Sequence, residues 1–547
     1  MIKKMKIRDL TLRDGQQSQF ATRMAQKHVE KVLPHFKNSN FYAMEVWGGA
    51  VPDSVMRYLN EDPWYRLESI SQVLKGKSKL TALSRGRNLF GYNPYPDEVI
   101  EGFCKHSLES GLDIMRIFDA LNDFDNIKFT IEVVKKYKGI VDCAICYTVD
   151  PKFSGMEKIK SFLSGKKLPQ NIFSVDYYLK KAIELEKMGA DIITIKDMAG
   201  LMHPAFTDRL FSILTKEINV PLDMHTHSTP GYGLASILVA ILHGVDIVDT
   251  VIMNFAGGTA APAFELVQLF ADKLEIDTSV NVNEVAKINN HLIEIQKDLA
   301  EFDSRKSVPQ EHNIAMDSIP ESVNILFDQA IDYAQEKEWK HLLKTTHKIE
   351  RFFNFPEPNK AVRDAEIPGG MYSNLLAQLE TLKLGHQVKK VLKYVPKVRV
   401  DSGCPPLVTP SSQIVGGQSV NCVVDESKGL DPFYTTISKQ FVNLVKGQYG
   451  KTPTPIDPEF RKKITDSSEE IPYDPSSYVK QKNKKIEEFN RVKLAKTEKE
   501  ELLLELFPTV ANKFLYGIRK KEFEANKIKE LKADQDNEYL QIQGSIE

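Results

Sequence analysis

The chain has 547 residues, more than a single hydrophobic core usually organises, so two domains or a barrel with a large extension are expected. Lysine and arginine together number 73 against 74 aspartates and glutamates, a balance that gives no reason to expect nucleic acid or an acidic membrane as partner. Five scattered cysteines exclude a disulfide framework, "MIKKMKIRDL" lacks an apolar signal core, and no run approaches the ~18 apolar residues of a membrane span. A soluble cytoplasmic protein is expected.

Short β-rich runs recur through the first half in the order "KIRDLTLRD", "FYAMEVWGG", "KLTALSRG", "DIMRIFDA", "VDCAICYTVD", "DIITIKDMAG", "PLDMHTH" and "DIVDTVIMN". Stretches with helical apolar spacing lie between them, among them "FTIEVVKKYK", "YYLKKAIELEKMG" and "LASILVAILHG". Eight such alternations predict an α/β fold, a (β/α)₈ TIM barrel over residues 5–275, in preference to an open doubly wound sheet. Cys143 and Cys146 have redox-motif spacing, but within a strand two residues three apart face opposite sides, which argues against a thiol pair. From 276 to 480 long charged amphipathic helices predict a mostly helical C-terminal domain covering the barrel mouth. Two irregular segments, "EIPGGMYSNL" and "DSGCPPLVTPSSQIVGGQSV", interrupt it as functional loops would. Residues 481–547, rich in lysine and glutamate around "ELLLELFPTVANKFL", read as a charged helical tail.

Several β runs end in ionisable residues, and barrel sites sit at strand C-terminal ends. Asp14 closes the first run, Lys196 lies on the sixth, and His225 and His227 close the seventh, projecting to one side because strand side chains alternate. One carboxylate and two imidazoles suit a divalent zinc, manganese or cobalt ion. Lys196 leaves two readings open. It pairs with Asp197 or Asp14, or it ligates as a carbamate formed with CO₂, since an ammonium has no lone pair to offer.

The motifs "LRDGQQSQFATRM", "EVWGGAVPDSVMRYL", "RGRNLFGYNPYPDEV", "MRIFDALND", "IKDMAGLMHP", "HTHSTPGYG", "IPGGMYSNL", "PPLVTPSSQIVG" and "LVKGQYGKTPTPIDPEFR" occur in this order from residue 8 to about 463. "FPTVANKFL" follows beyond 500. Together they resemble the metal-dependent carboxyltransferase component of biotin enzymes acting on pyruvate and oxaloacetate. That group holds pyruvate carboxylase, the oxaloacetate decarboxylase alpha chain and the pyruvate-handling transcarboxylase subunit. A looser barrel family of lyases and acyl-transferring enzymes shares "TLRDGQQ" and the His-x-His, but not the lysine of "KDMAG" or the later segments.

The resemblance implies a divalent metal held by Asp14, carbamylated Lys196, His225 and His227. It implies substrate handling by Arg13, Gln17 and Arg116, with Tyr147 at the rim. An arginine fork suits the carboxylate of a 2-oxo acid, and Arg13, Gln17 and the metal would stabilise a developing enolate. An Arg116–Asp119 ion pair is the plainer reading of Arg116. Ser373 stands where the family usually has threonine, whose hydroxyl moves a proton between the biotin ureido nitrogen and the substrate methyl group. Asp53 matches a biotin-contacting position, and equally a helix-start aspartate. No ATP-binding module and no Met-Lys-Met biotinylation signature is recognisable. The expected partners are therefore a separate biotin carrier protein delivering carboxybiotin and a biotin carboxylase subunit, around a homodimer of this chain. A membrane partner belongs only to the decarboxylase variant. A biotin-independent metal-dependent aldolase or lyase, and a non-catalytic scaffold, are the competing classes.

Overall fold

Eight parallel strands close into a barrel: β1 (Lys6–Asp9), β2 (Ala43–Gly48), β3 (Lys79–Arg85), β4 (Ile114–Phe118), β5 (Ile140–Cys146), β6 (Ile192–Asp197), β7 (Leu222–Thr226) and β8 (Ile247–Thr250). They pair in sequence order, and β8 returns to β1 with Arg8 beside Asp249. The computed structural model describes residues 3–544 except 92–93, 154, 156–158, 160–162, 164–167, 304 and 306, with side chains to residue 533. The strands alternate with α1 (Gln26–Phe36), α2 (Pro63–Leu74), α3 (Asp97–Glu109), α4 (Lys128–Lys136), α5 (Val175–Lys187), α6 (Pro204–Glu217), α7 (Gly233–Leu242) and α8 (Phe264–Lys273). The expected (β/α)₈ barrel is the fold.

The barrel interior is built in tiers. At the strand N-terminal ends Ala43, Ile114, Ile192 and Ile247, all from even strands, form an apolar plug. The next tier takes Arg8, Thr81, Asp142 and Asp223 from the odd strands, and the one above it Glu45, Arg116, Thr194 and Asp249 from the even strands. All eight are completely buried. Barrel interiors are normally filled by branched aliphatic residues at such depths; here an ionic layer replaces them. Arg116 donates to Asp142 at 2.9 Å, Asp223 at 2.6 Å, Asp249 at 2.5 and 3.2 Å and Glu45 at 3.4 Å. Arg8 lies 2.5 Å from Asp142 and 3.3 Å from Asp223. Burial opposes the charge on Arg116, but its four carboxylate neighbours outweigh burial and hold its pKa well above the ordinary value. Burial, and then Asp249, push the Asp223 carboxyl up, while Arg8 and Arg116 oppose that shift.

Removing one partner from a buried ionic cluster leaves the others uncompensated and typically costs about 3–5 kcal/mol. Arg116→Met, which keeps bulk and deletes the cation, should lower the stability of the folded chain by about that amount. The fall would be read from its urea midpoint. An unchanged midpoint would mean the layer contributes nothing to the fold.

Beyond the barrel, α9 (Val282–Asp298), α10 (Glu321–Gln335) and α11 (Trp339–Phe352) pack back onto it. They explain α7, which is apolar on every side: every residue from Gly233 to Ile241 is buried, with strands within and α10 and α11 without. The apolar side chains of α9–α11 are continuous with the barrel core. A separate core forms only over Ile367–Ile464, joined by Leu121. It is built by α12 (Gly369–Thr381), α13 (Val388–Asp401), α14 (Ser411–Ser427), α15 (Lys439–Lys446) and α16 (Pro458–Thr465). The segment expected as one helical domain thus divides between two cores. In the tail, Lys485–Ile486 and Val492–Lys493 pair as an antiparallel hairpin in place of the expected helix. Helix resumes with α17 (Glu498–Leu506), capped by the Thr497 side chain, and α18 (Pro508–Gly544). Among the described residues no helix is long and apolar enough to cross a membrane.

Candidate active site

The first strand ends earlier than its sequence implies. The Asp9 side chain accepts from Thr11 N at 3.1 Å and from Thr11 Oγ1 at 2.6 Å, and the chain turns into a wide helical turn over Thr11–Gly15. Arg13 and Asp14 therefore project from a turn rather than a strand end. Gly15 permits this close seat, since a Cβ there would lie 2.8 Å from Val251. Gln17, one turn on, accepts from Ala50 N at 2.9 Å. This contact needs the preceding Gly49, with φ of +56°, because a side chain there would strike the Gln17 amide.

Lys196 and His225 occupy paired positions on β6 and β7, with Lys196 Nζ 3.0 Å from His225 Nε2. His227 follows on the same face, its ring centroid 5.1 Å from that of His225. Its Nε2 lies 3.4 Å from Asp14 Oδ1. Thr226 points the other way and donates to Asp197, which also accepts from Leu201 N and Met202 N. Alternation thus removes Asp197 from Lys196, and Lys196 forms no ion pair with Asp197 or Asp14 among the described residues. Burial, and then Arg13, pull the Lys196 pKa down to about 8, well below that of an exposed lysine. Burial, and then Lys196, hold His225 well below the ordinary histidine range. Burial alone would raise the Asp14 pKa, but His227 and Arg13 together hold it well below the carboxylate range.

Among the described residues two buried atoms of this cluster, Asp14 Oδ2 and His227 Nε2, have no hydrogen-bond partner. A carboxylate oxygen and an imidazole nitrogen without hydrogen bonds on one face are a donor set a divalent cation fits. Among the described residues no three His, Cys, Asp or Glu side chains are grouped for a metal by themselves. The group that completes the set is Lys196, an amine until carbamylated.

The remaining expected site residues are placed differently. Arg13 is 3.3 Å from Asp14 Oδ1 and forks onto Glu45. Arg116 lies beneath, bonded to Glu45, Asp142, Asp223 and Asp249 in the ionic layer, and among the described residues its plainer pairing with Asp119 is not formed. Asp119 instead accepts from Leu121 N and Asp123 N. Tyr147 is not at the rim. Cys146 faces the barrel interior, so Tyr147 faces outward and packs against Tyr178 and Phe206 at centroid distances of 5.2 and 5.4 Å. Asp53 opens a short helix and pairs with Arg57 at 2.7 and 2.9 Å. Ser373 is exposed on α12 and donates to Gly369 O at 3.2 Å. The first turn of α12 is seated on the loops after β7 and β8, where a Cβ at Gly369 would lie 2.7 Å from Thr229 Oγ1. Val408, from the Pro-rich loop, packs onto Leu83, Phe118, Ala144 and Cys146 inside the mouth.

Sequence reasoning missed Arg8, Glu45, Asp142, Asp223 and Asp249. Their signal was present: each is a charged residue at the inward parity of its strand run.

Two protein families match the chain, one over the later part of the barrel and one beyond it. Residues 126–292 match the HMGL-like family and residues 362–545 the conserved carboxylase domain family. The chain is 35% identical over 520 residues to the B-type subunit of pyruvate carboxylase from Methanocaldococcus jannaschii, covering 95% of this chain and 79% of the relative. It is 31% identical over 520 residues to the methylmalonyl-CoA carboxyltransferase 5S subunit of Propionibacterium freudenreichii, covering 93% and 86%. The solved carboxyl transferase domain of Rhizobium etli pyruvate carboxylase with pyruvate matches with a TM-score of 0.75 at 26% identity, over 95% of this chain and 77% of that one. With both the barrel and the later helices covered by these matches, this chain belongs to the biotin-dependent carboxyltransferase family that includes the B-type subunit of pyruvate carboxylase, and is an enzyme of that family.

Proposed function

We propose that this enzyme moves a carboxyl group between carboxybiotin, brought by a separate carrier protein, and pyruvate or oxaloacetate. A biotin carboxylase subunit would recharge the carrier in the pyruvate carboxylase direction. The observation that carries the reading is the convergence of Asp14, Lys196, His225 and His227 at the strand C-terminal ends, with two orphaned buried ligand atoms. These four would hold one divalent ion, zinc, manganese or cobalt suiting a nitrogen and oxygen set. When bound, such an ion supplies Lewis-acid polarisation of a 2-oxo acid carbonyl.

The chain's own side chains supply the rest. Arg13, held by Glu45 and Asp14, and Gln17, oriented by Ala50 N, present N–H groups beside the cluster to the oxygen on which enolate charge develops. In carboxylation the Ser373 hydroxyl takes a proton from the pyruvate methyl group and passes its own to the ureido nitrogen that has released CO₂. The enolate carbon then bonds to CO₂ and gives oxaloacetate. Arg116 contributes from below by holding carboxylates, and Val408 closes one side of the mouth with apolar surface.

Lys196 is expected as its carbamate. A free ammonium beside a dication is strongly disfavoured, whereas a carbamate adds an anionic oxygen. Incubation with carbon-labelled bicarbonate should give a labelled lysine signal that Lys196→Ala abolishes. An unmodified amine in metal-loaded enzyme would refute it.

The HMGL-like match makes a biotin-independent lyase the competing reading for the barrel. It leaves the conserved carboxylase domain at 362–545 without a role. Purified enzyme should decarboxylate oxaloacetate weakly until biotin or a biotinylated carrier is added. Strong turnover without any biotin species would favour the lyase.

A further inference from the structure

We propose that Asp249 is a positioning residue that fixes the tautomer of His225, turning its Nε2 lone pair into the cluster of Asp14, Lys196 and His227. The proposal rests on the metal reading of that cluster but is argued from contacts within the chain. Asp249 Oδ2 lies 2.7 Å from His225 Nδ1, and both side chains are fully buried. A carboxylate accepts and does not donate, so it selects the ring form that carries its hydrogen on Nδ1. Nε2 is then left with its lone pair, which agrees with a Lys196 amine 3.0 Å away as donor. The opposite tautomer would aim a lone pair at a carboxylate where no water reaches.

The ionic layer gives this contact its permanence. Arg116 donates to both oxygens of Asp249, at 2.5 and 3.2 Å, and Arg8 Nε lies 3.9 Å from Oδ1. Asp249 is thereby fixed in rotamer and in charge, and passes that order to the imidazole. Asp249, held by Arg116 directly beneath the cluster, is the part of the ionic layer that aims it, a contact an aliphatic residue there could not make. Arg116 belongs to this support through its two bonds to Asp249. Partners of this kind typically govern metal affinity by about 10–100-fold.

The test uses the full chain labelled with nitrogen-15 histidine, its His225 signals assigned by their loss in His225→Gln. In metal-free wild type, His225 should carry its hydrogen on Nδ1. Asp249→Asn replaces an obligate acceptor by an amide that also donates, so the tautomer should redistribute. Its zinc affinity, measured by chelator competition, should fall about 10–100-fold while the circular dichroism stays native. Asp142→Asn is the comparison, because Asp142 touches Arg8, Arg116 and Thr194 but not His225. It should keep the tautomer and weaken zinc far less.

A wild-type ring protonated on Nε2 overturns the proposal, and this result stands even if Asp249→Asn fails to fold. Unchanged tautomer and affinity in Asp249→Asn overturn it too, as does an equal loss of zinc in Asp142→Asn. Failure of wild type to bind zinc, manganese or cobalt would instead sink the metal reading, while the metal-free spectrum would still decide the tautomer.

Discussion

His227→Ala should strip the enzyme of its divalent metal while leaving the fold intact. Wild-type chain dialysed exhaustively should keep about one ion per chain, the stoichiometry of a single protein-held site. The alanine variant should keep only a small fraction of that. Its affinity loss should exceed the about 10–100-fold typical of residues that merely support a ligand, because a ligand itself is gone. The fold should survive because the backbone beyond His227 is anchored independently of its ring. Ser228 N donates to Ala260 O at 3.1 Å, Asn359 N to Thr229 O at 2.8 Å, and His347 reaches Gly231 O at 2.6 Å. Elemental analysis beside a thermal melt separates the two effects. Full metal content and full transfer activity in the variant would remove His227 from the ligand set, and with it the reading of its orphaned nitrogen.

The barrel is legible because strand and helix periods alternate cleanly, and because Lys196, His225 and His227 obey the period-two rule their spacing implies. Legibility fails where parity is not carried through. Arg116 and Tyr147 look like strand-end residues, yet Arg116 sits at the depth of Asp249 and Tyr147 lies one step past the inward Cys146. Partners of the ionic layer are also remote in sequence: Arg8 meets Asp142 and Arg116 meets Asp249, pairings that no local pattern encodes. The tail departs for another reason. "KKIEEFNRVK" is helical by composition, but Asn490 and Arg491 take left-handed φ of 56° and 58° and form the turn of the hairpin. Asparagine at such a turn is a signal that composition hides.

Ser373→Ala should bind metal and pyruvate normally and yet fail to transfer carboxyl groups in either direction. Placement is the first reason. Gly369 seats the start of α12 against Thr229 and Thr259, the loops leaving β7 and β8, and Ser373 lies four residues on, about 6 Å along the helix. Its hydroxyl donates to Gly369 O and remains exposed, so its lone pairs face away from the helix and are free to accept a proton. Among the described residues this hydroxyl bonds within its own helix and not to Asp14, Lys196, His225 or His227, which is why binding and transfer should separate. General acid–base steps are worth about 10² to 10⁴ in rate, and the defect should fall in that range with little change in pyruvate affinity. Ser373→Thr should stay active, since threonine in a helix can make the same bond to the carbonyl four residues back while its extra methyl group narrows the rotamers. Biotin-dependent exchange of the pyruvate methyl protons is the direct readout: lost in the alanine variant, retained in the threonine one. Near wild-type exchange and transfer in Ser373→Ala would assign the proton to another group and leave the serine as a helix residue without a part in the chemistry.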